Sequence, residues 1–274
     1  MTRIILSGAC GRMGQTVAAI SDPSCPIVAG VDFRAAGSSS FPIYTQFNDV
    51  REQADVVVDF SHPDALSDLL RFSQERSIAL VLATTGYTDA DEQSILRAAE
   101  HIPIIHSANF SMGISVLVAL VRRAAESLPG CDIEIIEAHH RMKADAPSGT
   151  ALALAREIAD VSACETTFRY GRDPSSPPRS RHEIGLHSVR GGTGAGEHEA
   201  IFLLDGETLT LKHQAQTRDI FAHGALHAAK WIVGRAPGLY GMSDMIRRTA
   251  GTGRSPVLSG AAGTESLLQK EETK

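Results

Sequence analysis

The chain reads as an α/β protein in which a Rossmann-like, doubly wound parallel sheet is joined to a second, mixed α+β domain. Three observations predict this. Before Asn109, short apolar runs alternate with helical patterns. Those runs are near-continuous Val, Ile and Leu, as expected of parallel strands covered by helices on both faces. After Asn109, clustered helices precede clustered strands, the order of a separate α+β unit.

The elements follow in order. Ile4 to Ser7 reads as a strand, Met13 to Ile20 as a helix, Ile27 to Asp32 and Val56 to Phe60 as strands, and Pro63 to Gln74 as a helix. Ile78 to Ala83 is a strand, Asp89 to Glu100 a helix and Ile102 to His106 a strand. Beyond Asn109 come a helix from Ser115 to Ser127, a strand from Cys131 to Ala138 and a helix from about Thr150 to Ile158. A Pro/Ser/Arg-rich loop from Gly171 to Arg181 leads to strands at Ile184 to Arg190, Glu197 to Leu204 and Thr208 to Ala215. A last helix, Ile220 to Val233, returns toward the first domain. The expected division is a dinucleotide-binding domain over 1–109 and 219–250, a substrate and oligomerisation domain over 110–218, and a flexible tail over 251–274 that is rich in Gly, Ser, Thr and charge.

Composition narrows the function classes. With 274 residues, 43% hydrophobic and 21% charged, the chain can bury a sizeable core and fits neither disorder nor a coiled coil. A formal net charge of -6 supplies no global attraction for nucleic acid or an anionic membrane. Any anionic ligand must therefore be held by a few placed groups. Four scattered cysteines without metal-like spacing and an N-terminus lacking a long apolar stretch predict a reduced, cytoplasmic protein. No apolar run is long enough for a membrane span.

The first site candidate is the turn Gly8-Ala9-Cys10-Gly11-Arg12-Met13-Gly14 between a strand and a helix. Glycines let the backbone approach a pyrophosphate, and free N–H groups at the helix start point at it. The spacing is GxxGxxG rather than GxGxxG, so the motif alone could be a tight turn without a ligand. Asp32, 24 residues after Gly8 at the end of the next strand, is placed to hydrogen-bond a ribose diol. Phe33 and then Arg34 follow it, which predicts that NADH is accepted at least comparably with NADPH. Ala83-Thr84-Thr85-Gly86 and Ala108-Asn109-Phe110-Ser111 also lie at strand ends, where α/β sheets bind ligands, although each alone reads as an ordinary polar turn.

The densest polar stretch is Glu137-Ala138-His139-His140-Arg141-Met142-Lys143-Ala144-Asp145-Ala146-Pro147-Ser148-Gly149-Thr150-Ala151. Adjacent His side chains on an extended strand point to opposite faces, and no third ligand has useful spacing, so no metal is expected. A solvated loop is the bland alternative. Ser148 is a candidate N-cap, Gly149 allows close approach, and a helix start there suits a carboxylate. Lys143 adds a compact charge and His139 or His140 a titratable donor. These groups suit an anionic substrate whose reacting centre needs a proton.

These motifs identify a resemblance. GACGRMG, Ala83-Thr84-Thr85-Gly86, Ala108-Asn109-Phe110-Ser111, EAHHRMKADAPSGTA and Gly196-Glu197-His198 occur in the order found in the dihydrodipicolinate reductase family, from about residue 3 to 247. The resemblance implies NAD(P)H-dependent reduction of a cyclic unsaturated dicarboxylate to tetrahydrodipicolinate, in the bacterial diaminopimelate route to lysine, by a homotetramer. It implies that His139 is the catalytic acid/base and Lys143 the proton donor, and that His140, Gly149 and Thr150 hold the substrate carboxylate. Gly8, Ala9, Cys10, Gly11, Arg12 and Met13 would hold the pyrophosphate, Asp32 with Phe33 the adenosine ribose, and Ala83, Thr84 and Thr85 with Ser107, Ala108, Asn109 and Phe110 the nicotinamide side.

Three positions depart from the family pattern. Ala83 stands where the family has Gly, Phe33 where the better-known enteric type has Arg, and His62 in a loop position often basic in relatives. The rival readings are a two-domain amino-acid semialdehyde dehydrogenase and a cofactor-sensing Rossmann protein without turnover. A substrate shared between two domains also predicts closure about residues 109–112 and 217–219.

Overall fold

The computed structural model describes residues 1–34 and 39–246, so the expected tail over 251–274 lies outside the described residues. The chain divides into two compact units. One contains residues 1–108 and 226–241, and the other residues 109–225 and 242–246.

In the first unit, β1 (Ile4–Ser7), α1 (Arg12–Ile20), β2 (Ile27–Val31), β3 (Ile43–Tyr44), β4 (Val56–Asp59), α2 (Leu66–Arg76), β5 (Ala79–Leu82), α3 (Asp89–Ala99) and β6 (Pro103–His106) follow one another. The second unit begins with α4 (Met112–Ser127), β7 (Asp132–His139), α5 (Gly149–Ala159), β8 (Thr167–Tyr170), β9 (Glu183–Arg190), β10 (Gly196–Leu204) and β11 (Glu207–Ala215). Then α6 (Asp219–Ile232) crosses from the second unit to the first, and β12 (Gly238–Tyr240) and α7 (Met242–Ile246) end the described chain.

The first sheet has the order β12-β6-β5-β4-β1-β2-β3, and all its strand pairs are parallel. This is the doubly wound arrangement expected from the sequence. Strands β1, β4 and β5 are buried along their whole length, which explains why they read as continuous apolar runs. Strand order reverses at β1, so the turn after β1 lies at the switch point where such sheets take ligands. Ile5, Val57, Leu80 and Ile104 of four neighbouring strands pack with Leu69 and Ile95 of the helices in one core.

The second sheet is mixed, with the order β11-β10-β7-β9-β8. Its β7–β9 and β8–β9 pairs are parallel, while β10 runs antiparallel to β7 and β11. Ile135, Leu186, Ala200 and Phe202 on one face pack with Leu117, Val121, Leu154 and Ile158 of α4 and α5. Side chains alternate along a strand. Ile136, Val189, Ile201 and Leu203 therefore face away from those helices, and Val189 and Leu203 are exposed.

Sequence patterning locates the long elements and passes over the short ones. Strands β3 and β12 span only two and three residues, too few for a period, and exist because β2 and β6 offer parallel partners. The helical pattern expected from Pro63 begins as a single 3-10 turn, Pro63–Ala65, capped by the His62 side chain, and becomes α2 only at Leu66. Helix α4 starts at Met112 rather than Ser115, because the Ser111 hydroxyl accepts the Ile114 N–H and caps it there.

Candidate functional site

The turn after β1 is built to bring backbone close to a ligand. Gly8 has φ +76°, and a Cβ there would stand 2.5 Å from the Phe60 carbonyl oxygen. A Cβ at Gly14 would collide with the same turn, so α1 can pack this tightly only with glycine. Gly11 precedes α1 without a side-chain cap, leaving the first-turn N–H groups, Arg12 and Met13 among them, open to an anion.

Asp32 is buried just beyond β2 and holds this turn in place. Its Oδ2 accepts the Cys10 N–H at 2.9 Å, and its Oδ1 accepts the Arg34 N–H at 3.0 Å and Nε–H at 3.3 Å. Burial opposes its charge, yet these bonds and the Arg34 guanidinium keep its carboxyl below the usual range. Phe33 is exposed, with the Arg34 guanidinium 5.3 Å from its ring centre. The turn and this carboxylate fit the pyrophosphate and ribose of a dinucleotide.

At the C-terminal ends of β4 and β5 the same unit has a cleft of about 750 Å³, lined by Phe60, Ser61, His62, Ala83, Thr84 and Thr85 among others. Beneath it lies Asp59, a residue that motif reading passed over. It accepts the Ser61 N–H at 3.2 Å, the Ser61 hydroxyl at 2.5 Å and the Thr84 hydroxyl at 2.7 Å. One carboxylate thereby ties both cleft loops together. Ser107 bonds to the end of β5 and Ala108 is exposed.

Asn109 and Phe110 fall in the second unit. Phe110 is buried, and its carbonyl lies against Gly224 so closely that no Cβ fits there. Asn109 donates from Nδ2 to the Thr150 hydroxyl at 3.2 Å, which connects this loop to the start of α5. There Ser148 acts as the expected N-cap, accepting the Ala151 N–H at 3.2 Å. A Cβ on Gly149 would meet nothing within 4 Å, so the backbone at this helix start is open to a carboxylate.

Strand β7 delivers the titratable groups. Alternation places Glu137 and His139 on one face, and register sets Arg190 of β9 opposite His139 and His198 of β10 opposite Glu137. Arg190 donates to both oxygens of Glu137, at 2.8 and 2.6 Å, and the Ser148 N–H donates to Oε1 at 3.2 Å. The Nδ1 of His139 bonds the other oxygen, Oε2. Burial raises the Glu137 pKa, but Arg190 and its other partners win and hold it at about 2. Burial also pushes His139 below the ordinary histidine value, against the pull of Glu137 and with Lys143 and Arg190 adding to the depression.

His140 turns elsewhere, its Nε2 accepting from Arg218 at 3.0 Å. Lys143 pairs with Asp145 at 2.8 Å, and the Asp145 carbonyl accepts from Arg190 at 2.6 Å. His198 shares a hydrogen with the Ser148 hydroxyl at 3.0 Å and is pushed down to about 4, first by burial and then by His139. The sequence motifs point to His139, His140, Lys143, Gly149 and Thr150 but give no role to Glu137, Arg190, Arg218 or His198. Glu137 was discoverable, because it stands two residues before His139 on the same strand. Arg190 and Arg218 carried no local signal.

The family model described as dihydrodipicolinate reductase, N-terminus, matches residues 2–110, and that described as dihydrodipicolinate reductase, C-terminus, matches residues 113–246. The 4-hydroxy-tetrahydrodipicolinate reductase of Caldanaerobacter subterraneus subsp. tengcongensis is 45% identical over 250 residues, covering 90% of this chain and 99% of that protein. The protein of the same name from Clostridium novyi is 42% identical over 250 residues, with 90% of this chain and 99% of the relative covered. Among solved structures, dipicolinate-bound dihydrodipicolinate reductase from Paenisporosarcina sp. TG-14 superimposes with a TM-score of 0.77 at 26% identity, covering 89% of this chain and 99% of that one.

Proposed function

The chain belongs to the dihydrodipicolinate reductase family, and on that premise we propose that it reduces 4-hydroxy-tetrahydrodipicolinate, or its dehydrated form, to tetrahydrodipicolinate with NADH or NADPH, serving lysine biosynthesis through diaminopimelate. The carrying observation is the polar stretch from the end of β7 to the start of α5, where a buried His–Glu pair, a lysine and an open helix start gather within one unit. In this reading the first unit binds the cofactor and the second the cyclic dicarboxylate.

The turn from Gly8 to Met13 offers N–H donors to the pyrophosphate, and Asp32, beside Phe33, accepts from the adenosine ribose. Ala83, Thr84 and Thr85, with Ser107 to Phe110, border the nicotinamide. When bound, the reduced nicotinamide supplies the hydride. The chain's own residues orient the substrate and manage its charge and proton. Gly149 and Thr150 present the start of α5 to one carboxylate, with His140 contributing a hydrogen bond. Lys143 donates a proton to the reduced product and His139 serves as the acid/base beside it.

The decisive experiment follows NADH oxidation at 340 nm with enzymatically generated substrate. Turnover supports the reductase; binding of NADH without turnover would support a cofactor sensor instead. Lys143→Ala should lower kcat by about 10²-fold if proton donation dominates. An unchanged kcat removes Lys143 from the mechanism.

The face of the second sheet that carries Ile136, Val189, Ile201 and Leu203 supports the homotetramer that the family resemblance implies, since exposed apolar strands call for a partner. Sedimentation should give four chains per particle, and Val189→Asp should shift it toward smaller species. A monomeric wild-type protein would overturn that assembly.

A further inference from the structure

Glu137 is almost fully enclosed, and its carboxylate meets Arg190, the Ser148 N–H and His139 Nδ1 at once. With Arg190 across both oxygens it remains ionised near neutral pH, and an ionised carboxylate can only accept hydrogen bonds. The nitrogen of His139 that faces it must therefore carry the hydrogen. That leaves Nε2 as the atom through which the ring gains or loses a proton. Gly196 clears the space beside this atom, because a Cβ there would stand 2.7 Å from Nε2.

We propose that Glu137, clamped by Arg190, is the positioning residue that fixes His139 as its Nδ1–H tautomer and so makes Nε2 the proton-exchanging atom. The proposal rests on the reading of His139 as the acid/base. In the transfer step Lys143 gives the substrate its one proton, the Nε2–H bond of the imidazolium breaks to reprotonate the Lys143 amine, and the neutral ring keeps Nδ1–H on Glu137. Solvent returns the proton afterwards. The same arginine extends the arrangement to the second proton-handling group. Arg190 holds the Asp145 carbonyl, and the Asp145 carboxylate holds the Lys143 ammonium. Four groups thus face the His139 ring: Glu137 on its own strand, Arg190 on β9, His198 on β10 and Lys143 in the following turn.

The test uses the full-length protein with ¹⁵N-labelled histidine, His139 being assigned by loss of its signals in His139→Gln. In the wild-type protein the neutral ring should show a protonated Nδ1 and a bare Nε2. In Glu137→Gln that preference should disappear, and the His139 midpoint should fall by about one pH unit because a favourable negative charge is gone. The kcat should drop about 10-fold to 100-fold, its alkaline limb moving down with the histidine, while KM for NADH stays within twofold. A carboxylate that only held the sheet together would leave tautomer and titration untouched. An unchanged tautomer in Glu137→Gln, or a wild-type ring with its hydrogen on Nε2, overturns the proposal, and the second measurement stands even if the variant does not fold. Failure of the acid/base reading looks different: His139→Gln would then keep wild-type kcat while the tautomer result still held.

Discussion

Asp59 in the first unit and Glu137 in the second are both 1% exposed carboxylates at or near the C-terminal end of a strand, yet different partners surround them. Asp59 accepts from the Ser61 N–H and from the hydroxyls of Ser61 and Thr84, with the Tyr87 hydroxyl farther off at 3.5 Å. Glu137 meets a guanidinium across both oxygens and an imidazole besides. Neutral donors suffice to tie two loops around a cleft. At the proposed acid/base centre the carboxylate is instead charge-paired and bonded to an imidazole. The difference between the two carboxylates thus lies in their partners and not in their burial.

Removing one partner from each centre should separate them most clearly. Arg190→Met leaves Glu137 buried without its cation, at a cost of about 3 kcal/mol or more, because an uncompensated interior charge has neither water nor a counter-ion. Thr84→Val removes one neutral donor from Asp59 and should cost about 1 kcal/mol. Urea denaturation of both variants checks the order. Equal losses would mean that the guanidinium is no more than another hydrogen-bond donor.

Acid titration probes the second centre through its buried histidine. The His198 pKa is held at about 4 in the folded protein against 6.5 for an ordinary histidine. Between those values the unfolded chain binds a proton that the folded chain refuses, so stability present above pH 6.5 is lost as pH falls toward 4. The loss amounts to about 3 kcal/mol when complete. Glu137 adds a lower window, because a carboxyl held at about 2 instead of 4.5 stabilises the fold above pH 4.5 and loses that contribution as pH falls toward 2. Thermal unfolding followed from pH 7 to 4 should show the upper window in wild type and a shallower one in His198→Asn, since His139 keeps a share of it. A wild-type curve that is flat between pH 6.5 and 4.5 would contradict the buried, neutral His198.

The loop clasp should give a smaller and purely cofactor-directed effect. Asp59→Asn turns one acceptor into a donor facing groups that already donate, a mismatch of about 1–3 kcal/mol that also loosens the cleft loops. KM for NADH should rise about tenfold while the Kd for dipicolinate stays within twofold. An equal loss of dipicolinate affinity would show that Asp59 acts through global destabilisation and not through its own loops.

The two centres also differ in how far the sequence discloses them. The glycine turn, Asp32, and the run from His139 to Thr150 are contiguous or regularly spaced, so local rules for strand ends and helix starts find them. Ser148 could be read as a cap because capping involves residues only three apart. The partners that set the chemistry are distant. Arg190 reaches Glu137 across 53 residues and Thr84 reaches Asp59 across 25, each brought in by a strand pairing whose register no local pattern contains. Asp59 itself was hidden inside an apolar run, where a single carboxylate reads as the end of a strand.

The smallest expected effect concerns the ribose end of the first unit, where a third buried carboxylate follows neither pattern. Asp32 accepts from the Cys10 backbone and also from an arginine, but Arg34 is half exposed and close to the chain's own turn. A ribose 2′-hydroxyl can donate to Asp32 beside that arginine, whereas a 2′-phosphate would be repelled by the carboxylate and attracted by the guanidinium. The two terms oppose each other, so kcat/KM for NADH should be at least comparable with that for NADPH. Arg34→Ala should reduce NADPH use a few-fold more than NADH use, since an exposed pair contributes about 1 kcal/mol at most. A hundredfold preference for NADPH in the wild-type protein would mean that the guanidinium leaves Asp32 for the phosphate. Asp32 would then belong with Asp59 as an organiser of backbone, not with the groups that recognise a ligand.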